Sequence, residues 1–118
     1  MNELPFLDLA KLKQNLSNDQ DVFMEIAKAM CDDITQRGAR LLQAAQSRDV
    51  AVIKQETHAF KGGLGSVTAA IAASLAADLE RMAMTDQWGE FDAKLILFDE
   101  QLKKVFDAFQ QELTKPAL

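Results

Sequence analysis

The chain has one histidine, His58, in the stretch Gln55-Glu56-Thr57-His58-Ala59-Phe60-Lys61-Gly62-Gly63-Leu64-Gly65. Near neutral pH an imidazole can act as nucleophile, general base or metal ligand, and its neighbours decide which. On a helical wheel of about 100° per residue, Ile53, Thr57, Phe60, Leu64 and Val67 fall within about 40° of one direction, which marks the core side. His58 then lies about 140° away, Lys61 about 80°, Gly65 about 120° and Gly62 about 180°. The imidazole faces outward. Lys61 and Gly62 follow it by three and four residues and share its face of the helix, with Gly65 a turn further on. Glycine inside a helix costs about 1 kcal/mol relative to alanine, so Gly62, Gly63 and Gly65 need a compensating reason. Gly62 and Gly65 leave bare backbone beside the imidazole, which permits close approach of a large partner.

Other chemistries fail on the same residues. A di-iron bundle site takes Glu-x-x-His pairs from two helices, whereas Gln55 stands three before the only histidine. Cys31 is the sole cysteine, so neither an internal disulfide nor a thiolate cluster can form, and it is expected as a buried apolar side chain. No metal site and no cofactor are expected. Gly63, Gly65 and Thr68 fall one residue short of G-x-G-x-x-G and follow no strand, and Lys61 precedes its glycines, the reverse of a P-loop. Nothing marks Ser66 or Cys31 as a hydrolase nucleophile served by an oxyanion hole.

The elements that must position His58 are helical. Asp8 opens a short lead-in helix over about 8–16, with Leu9, Leu12 and Leu16 apolar, and Ser17 with Gln20 reads as a capping box for the next helix. That helix, about 19–46, carries Val22, Ile26, Met30, Ile34, Leu41 and Ala45 as its apolar stripe. Asp49 caps a helix over about 50–65. Thr68 can cap an alanine-rich helix over about 69–84 with Ile71, Leu75, Leu79 and Met82 inward. Thr85 and Asp86 open the last, about 87–113, where Phe91, Leu95, Phe98, Leu102, Val105, Phe109 and Leu113 alternate spacings of three and four. No segment alternates as a strand. The expected fold is all-α: an antiparallel up-down-up-down four-helix bundle with a short N-terminal helix, one domain over residues 1–118.

Composition narrows the partners. The 118 residues are 48% hydrophobic and 26% charged, a globular balance, and the only prolines are Pro5 and Pro116, near the ends. A formal charge of −5 argues against nucleic acid and anionic membrane, both of which need a cationic surface. Glu3, Asp8, Lys11 and Lys13 break up the opening segment, so no secretory signal and a cytoplasmic location are expected. The longest uncharged run, residues 62–77, is sixteen residues with Gly, Ser and Thr, poor for spanning a bilayer.

His58-Ala59-Phe60-Lys61-Gly62-Gly63, followed by Ala69 and by Leu79-Glu80 twenty-two residues after the histidine, resembles the histidine-containing phosphotransfer (HPt) domain of bacterial phosphorelays. The resemblance extends over nearly the whole chain, because that family's fold is a similar bundle with its histidine on the second bundle helix. Thr68, where the family more often has Gly, and Gly63, where Ser or Ala is common, depart from the pattern. The resemblance implies that His58 accepts a phosphoryl group from a receiver-domain aspartate and passes it to another receiver. Response-regulator receiver domains and a hybrid sensor histidine kinase are then the partners. Lys61 supplies charge stabilisation, Gly62 and Gly65 form the docking surface, and Glu80 orients the imidazole by accepting a hydrogen bond from Nδ1. Mg²⁺ and the aspartate belong to the receiver, and the chain is a monomeric phosphohistidine carrier, not an enzyme with its own kinase or nucleotide site. The alternative is a non-catalytic helical adaptor with an incidental surface histidine, whose partner binding ignores His58. A third reading, an enzyme using His58 as general base, needs a small-molecule cleft that a uniform bundle seldom offers.

Overall fold

The computed structural model describes residues 6–115; residues 1–5, which begin the segment weighed above as a leader, and 116–118 lie outside the described residues. The described residues form five helices and no strand: α1 (Leu9–Asn15), α2 (Gln20–Ser47), α3 (Val50–Ser66), α4 (Ala70–Met84) and α5 (Trp88–Thr114). α2 packs against α3 and α5, and α4 also packs against α3 and α5, so the long helices stand in the cyclic order α2, α3, α4, α5. Residues 48–49, 67–69 and 85–87 join them, connections too short to run back along the bundle, so consecutive helices are antiparallel.

The turns take their shape from residues in the left-handed region. Arg48 (φ 54°), Thr68 (67°) and Asp86 (57°) each turn the chain between long helices, and Ser17 (55°) and Asn18 (58°) do so between α1 and α2. This conformation crowds Cβ, most of all for a β-branched residue such as Thr68. The Thr68 hydroxyl donates to the Asp8 carbonyl at 2.8 Å, which ties the α3–α4 turn to the start of α1.

Three expected caps give way to this turn geometry. Asp19, not Ser17, caps α2, its carboxylate accepting from the Val22 N–H at 3.2 Å. Thr68 does not cap α4; Ala69 occupies that position without a side-chain bond. Gln87 precedes α5, likewise without one, and Thr85 instead closes α4 by donating to the Arg81 carbonyl at 2.9 Å. Asp8 and Asp49 do cap α1 and α3, accepting from Lys11 N at 3.0 Å and Val52 N at 3.2 Å.

One contiguous core joins all five helices. On α2 the stripe runs through Phe23, Ala27, Met30, Ile34 and Leu41, and Val22 is 38% exposed. The larger Phe23 takes the inward position, with its ring centroid 6.3 Å from that of Phe109 on α5. On α4, Ala72 and Ala76 are fully buried, while Ile71 and Leu75 sit half-buried at the rim. Small side chains at the interface let neighbouring helices approach closely. The α5 stripe is buried as its spacing requires, with Leu95 and Leu113 at the margins. Cys31 is buried with its Sγ toward the Phe106 carbonyl at 3.9 Å, and burial raises its thiol pKa, with Asp32 adding to the shift.

Candidate functional site

Position on α3 is decided by what α3 buries. Ile53, Thr57, Phe60 and Leu64 are in the core, as the wheel requires. Phe60 meets Phe98 of α5 edge to face, centroids 5.3 Å apart at 76°, a pairing diagonally across the bundle that resists rotation of α3. The Thr57 hydroxyl donates to the Ile53 carbonyl at 2.8 Å and so needs no partner from outside its helix.

A second lock has no clear signature in the sequence. Glu56, 2% exposed, accepts from Arg37 Nη1 at 3.0 Å and from Arg40 Nε at 3.2 Å, both on α2. A buried carboxylate is tolerable when paired and hydrogen-bonded, and here two guanidinium groups provide that. The one legible sign was the i, i+3 spacing of Arg37 and Arg40, which without a map of helix neighbours points at nothing in particular. With α2 held on one side of α3 and α5 across the core, the opposite outer face is left to solvent.

That face carries His58. The imidazole is exposed and lines a shallow hollow of about 370 Å³ with Ala51, Lys54 and Gln55, all of α3. Lys61, 45% exposed, extends toward α4, where its Nζ stands 3.8 Å from Glu80 Oε1. Glu80 was expected to hydrogen-bond the imidazole; the partner it has is Lys61, and among the described residues no hydrogen bond joins Glu80 to His58. Lys61 lies about 60° nearer the α4 side of the wheel than His58 and has the longer reach, so its ammonium intercepts the carboxylate.

The glycines are helical, and none has a positive φ. A Cβ added at Gly62 or Gly65 would meet nothing within 4 Å, and one at Gly63 would make ordinary contact with Met30 Cε at 3.6 Å. Nothing inside the molecule requires glycine at 62 or 65. The structure thus brings His58, Lys61, Gly62 and Gly65 onto one surface of α3, with Glu80 at its edge on α4. Among the described residues no three His, Cys, Asp or Glu side chains gather as metal ligands, and no helix is long and apolar enough to cross a membrane.

The fold belongs to a recognised class. Residues 23–112 match the model of the Hpt domain, and the chain belongs to that family. The crystal structure of histidine-containing phosphotransfer protein B (HptB) from Pseudomonas aeruginosa PAO1 superposes with a TM-score of 0.86 at 23% identity, covering 98% of this chain and 100% of that one. It shows that the two share a fold. No curated protein is similar enough to the chain to match it.

Proposed function

We propose that His58 is the phosphorylated residue behind the phosphotransfer role in phosphorelays that membership of the Hpt family gives the chain, and that the chain is a cytoplasmic carrier between receiver domains, loaded through a hybrid sensor kinase and unloaded onto a response regulator. The bundle is read as up-down-up-down, with the short lead-in helix outside it. The observation that carries the reading is the exposed imidazole beside Lys61 on backbone that Gly62 and Gly65 leave bare.

In the forward step one ring nitrogen of neutral His58 attacks the phosphorus of an aspartyl phosphate. The N–P bond forms, the acyl O–P bond breaks, and the carboxylate leaves on the receiver. The transition state is loose, with charge on its equatorial oxygens, so positioning and charge neutralisation dominate. Lys61 supplies the cation, and Glu80 acts on the reaction through Lys61 as a positioning residue.

The experiment is incubation of wild type and His58→Gln with a phosphorylated hybrid kinase, followed by acid treatment of the label. Acid-labile phosphate on wild type and none on the variant is expected. Label retained by the variant, or receiver binding with no transfer in either, sinks the reading; the second outcome is the one an adaptor gives.

A further inference from the structure

The hollow beside His58 runs toward the start of α3, away from Gly62, and Ala51, Lys54 and Gln55 line it there. Lys54 is exposed and among the described residues makes no ion pair, whereas Lys61 is matched by Glu80. The two lysines lie within about 20° of each other on the wheel, so both stand on the α4 side of α3. Helical side chains lean toward the N-terminus, which brings Lys61 toward His58 and takes Lys54 away from it. The charge of Lys54 is therefore aimed past the phosphoryl group rather than at it. On α4, Met84 follows Glu80 by four residues, shares its α3-facing side and is 54% exposed. Counted outward from the turn over residues 67–69, Met84 is level with Val52, about 9 Å along the axes from His58. With neighbouring axes about 9 Å apart, Met84 is about 13 Å from His58, and Lys54 is about 6 Å from it along α3.

We propose that Lys54 and Met84 recognise the receiver: Lys54 pairs with a carboxylate on the receiver surface, and Met84 packs against an apolar side chain beside it. The inference rests on the reading of His58 as the phosphoryl acceptor. An interface of standard size buries about 800 Å² on each partner, a disc about 16 Å in radius. Any receiver that brings its aspartyl phosphate to His58 through such an interface covers both residues. Gly62 and Gly65 let the partner come close, but bare backbone offers no side chain by which to tell one partner from another. On the other half of the disc an unpaired cation and an exposed thioether offer both charge and shape. On a chain of charge −5, a cation at this place attracts a carboxylate-bearing surface and fixes its orientation. A carrier meets a donor and an acceptor in turn, and the flexible side chain of methionine adapts to both.

The test is single-turnover transfer from a phosphorylated receiver domain to the full chain, with the receiver concentration varied. Lys54→Glu should raise the half-saturating concentration about tenfold and Met84→Ser about threefold, with limiting rates within about twofold of wild type and helicity unchanged. Lys54→Arg, which keeps the charge, should stay within about threefold. Lys103→Glu makes the same change in net charge on α5, across the bundle from α3, and should stay within about twofold. Wild-type half-saturation in either Lys54→Glu or Met84→Ser overturns the proposal. So does an equal loss in Lys103→Glu, which would make the effect one of net charge, or a loss confined to the limiting rate, which would place the two residues in the chemistry. A wild type that no phosphorylated receiver loads removes the reading of His58 itself, and the proposal with it.

Discussion

Lys61→Ala separates the charge of this residue from its packing. The side chain is 45% exposed and its ion pair to Glu80 is 3.8 Å long. A pair of that kind contributes under about 1 kcal/mol, so the variant should fold with unchanged helicity. In transfer its charge competes between two partners. Side chains three apart on a helix stand about 5–6 Å from each other, and a dianionic phosphoryl group about 6 Å from an ammonium in water gains about 1.4 kcal/mol, of which leaving Glu80 takes back about 1 kcal/mol. Single-turnover rapid quench with a phosphorylated receiver should therefore show Lys61→Ala about twofold slower than wild type, and about tenfold slower than its parent in a Glu80→Gln background, where Lys61→Arg stays within about threefold. Since the effect is Coulombic and solvent-exposed, the gap in that background should narrow in about 1 M salt, where screening acts over about 3 Å. Parental speed of Lys61→Ala in the Glu80→Gln background at low salt would refute the assignment, as would a deficit that salt leaves untouched.

The other predictions rest on separate contacts. Gly62→Gln should weaken receiver binding measurably while raising the unfolding midpoint, since its Cβ has open space and glycine costs about 1 kcal/mol in a helix; equal affinity in a titration would show that the bare backbone has no docking role. Glu56→Gln should destabilise the fold by about 1–3 kcal/mol in urea because two arginines lose their shared carboxylate, while phosphoryl uptake by the folded fraction stays within about twofold. Glu112 is held below the ordinary carboxyl range, first by Lys115 and against the effect of burial, with Lys13 adding to it at 3.0 Å. Its contribution is whole above about pH 4.3 and is lost as pH falls through the lowered folded value, so Glu112→Gln should cost about 1 kcal/mol at pH 7 and progressively less in acid; a pH-independent difference would count against this. Glu80→Gln should shift the equilibrium with a phosphorylated receiver toward phospho-His58 by about fivefold, and should do nothing in a Lys61→Ala background; an equal shift in both backgrounds would separate Glu80 from Lys61.

Helix ends were legible because aspartates and short polar connections mark them, and each observed end falls within one residue of its expected position. Which residue faced inward was less so. Val22 and Phe23 are adjacent and both apolar, and only the packing of Phe23 on Phe109, 86 residues distant in the chain, decides between them. Ala72 and Ala76 outrank Ile71 and Leu75 for burial because of how closely α3 and α4 pack, which a single-helix periodicity does not contain. Thr68 departs from the family's glycine at a place where φ is 67°, and its hydroxyl bond to Asp8, sixty residues away, is invisible in local sequence. At the site, the outward position of His58 followed from α3 alone. Glu56 and Glu80 did not, since the first depends on α2 and the second on whether an ammonium or an imidazole reaches it first.

That last competition bears on what a carrier must do, which is to release what it accepts. If Lys61 faced the phosphoryl group without a rival, phospho-His58 would gain about 1.4 kcal/mol and onward transfer would be retarded by a similar factor. At 3.8 Å, Glu80 already attracts the same ammonium by about 1 kcal/mol in water. Drawing Lys61 away from Glu80 cancels most of the gain, leaving a few tenths of a kcal/mol between the loaded and unloaded states. The charge remains available as negative charge builds on the transferring group, yet neither end state is held deeply. A hydrogen bond accepted by Glu80 from the imidazole N–H would instead have acted on the nucleophile and left the ammonium unopposed in the loaded state. An ion pair that must be exchanged in loading and restored in unloading acts on both.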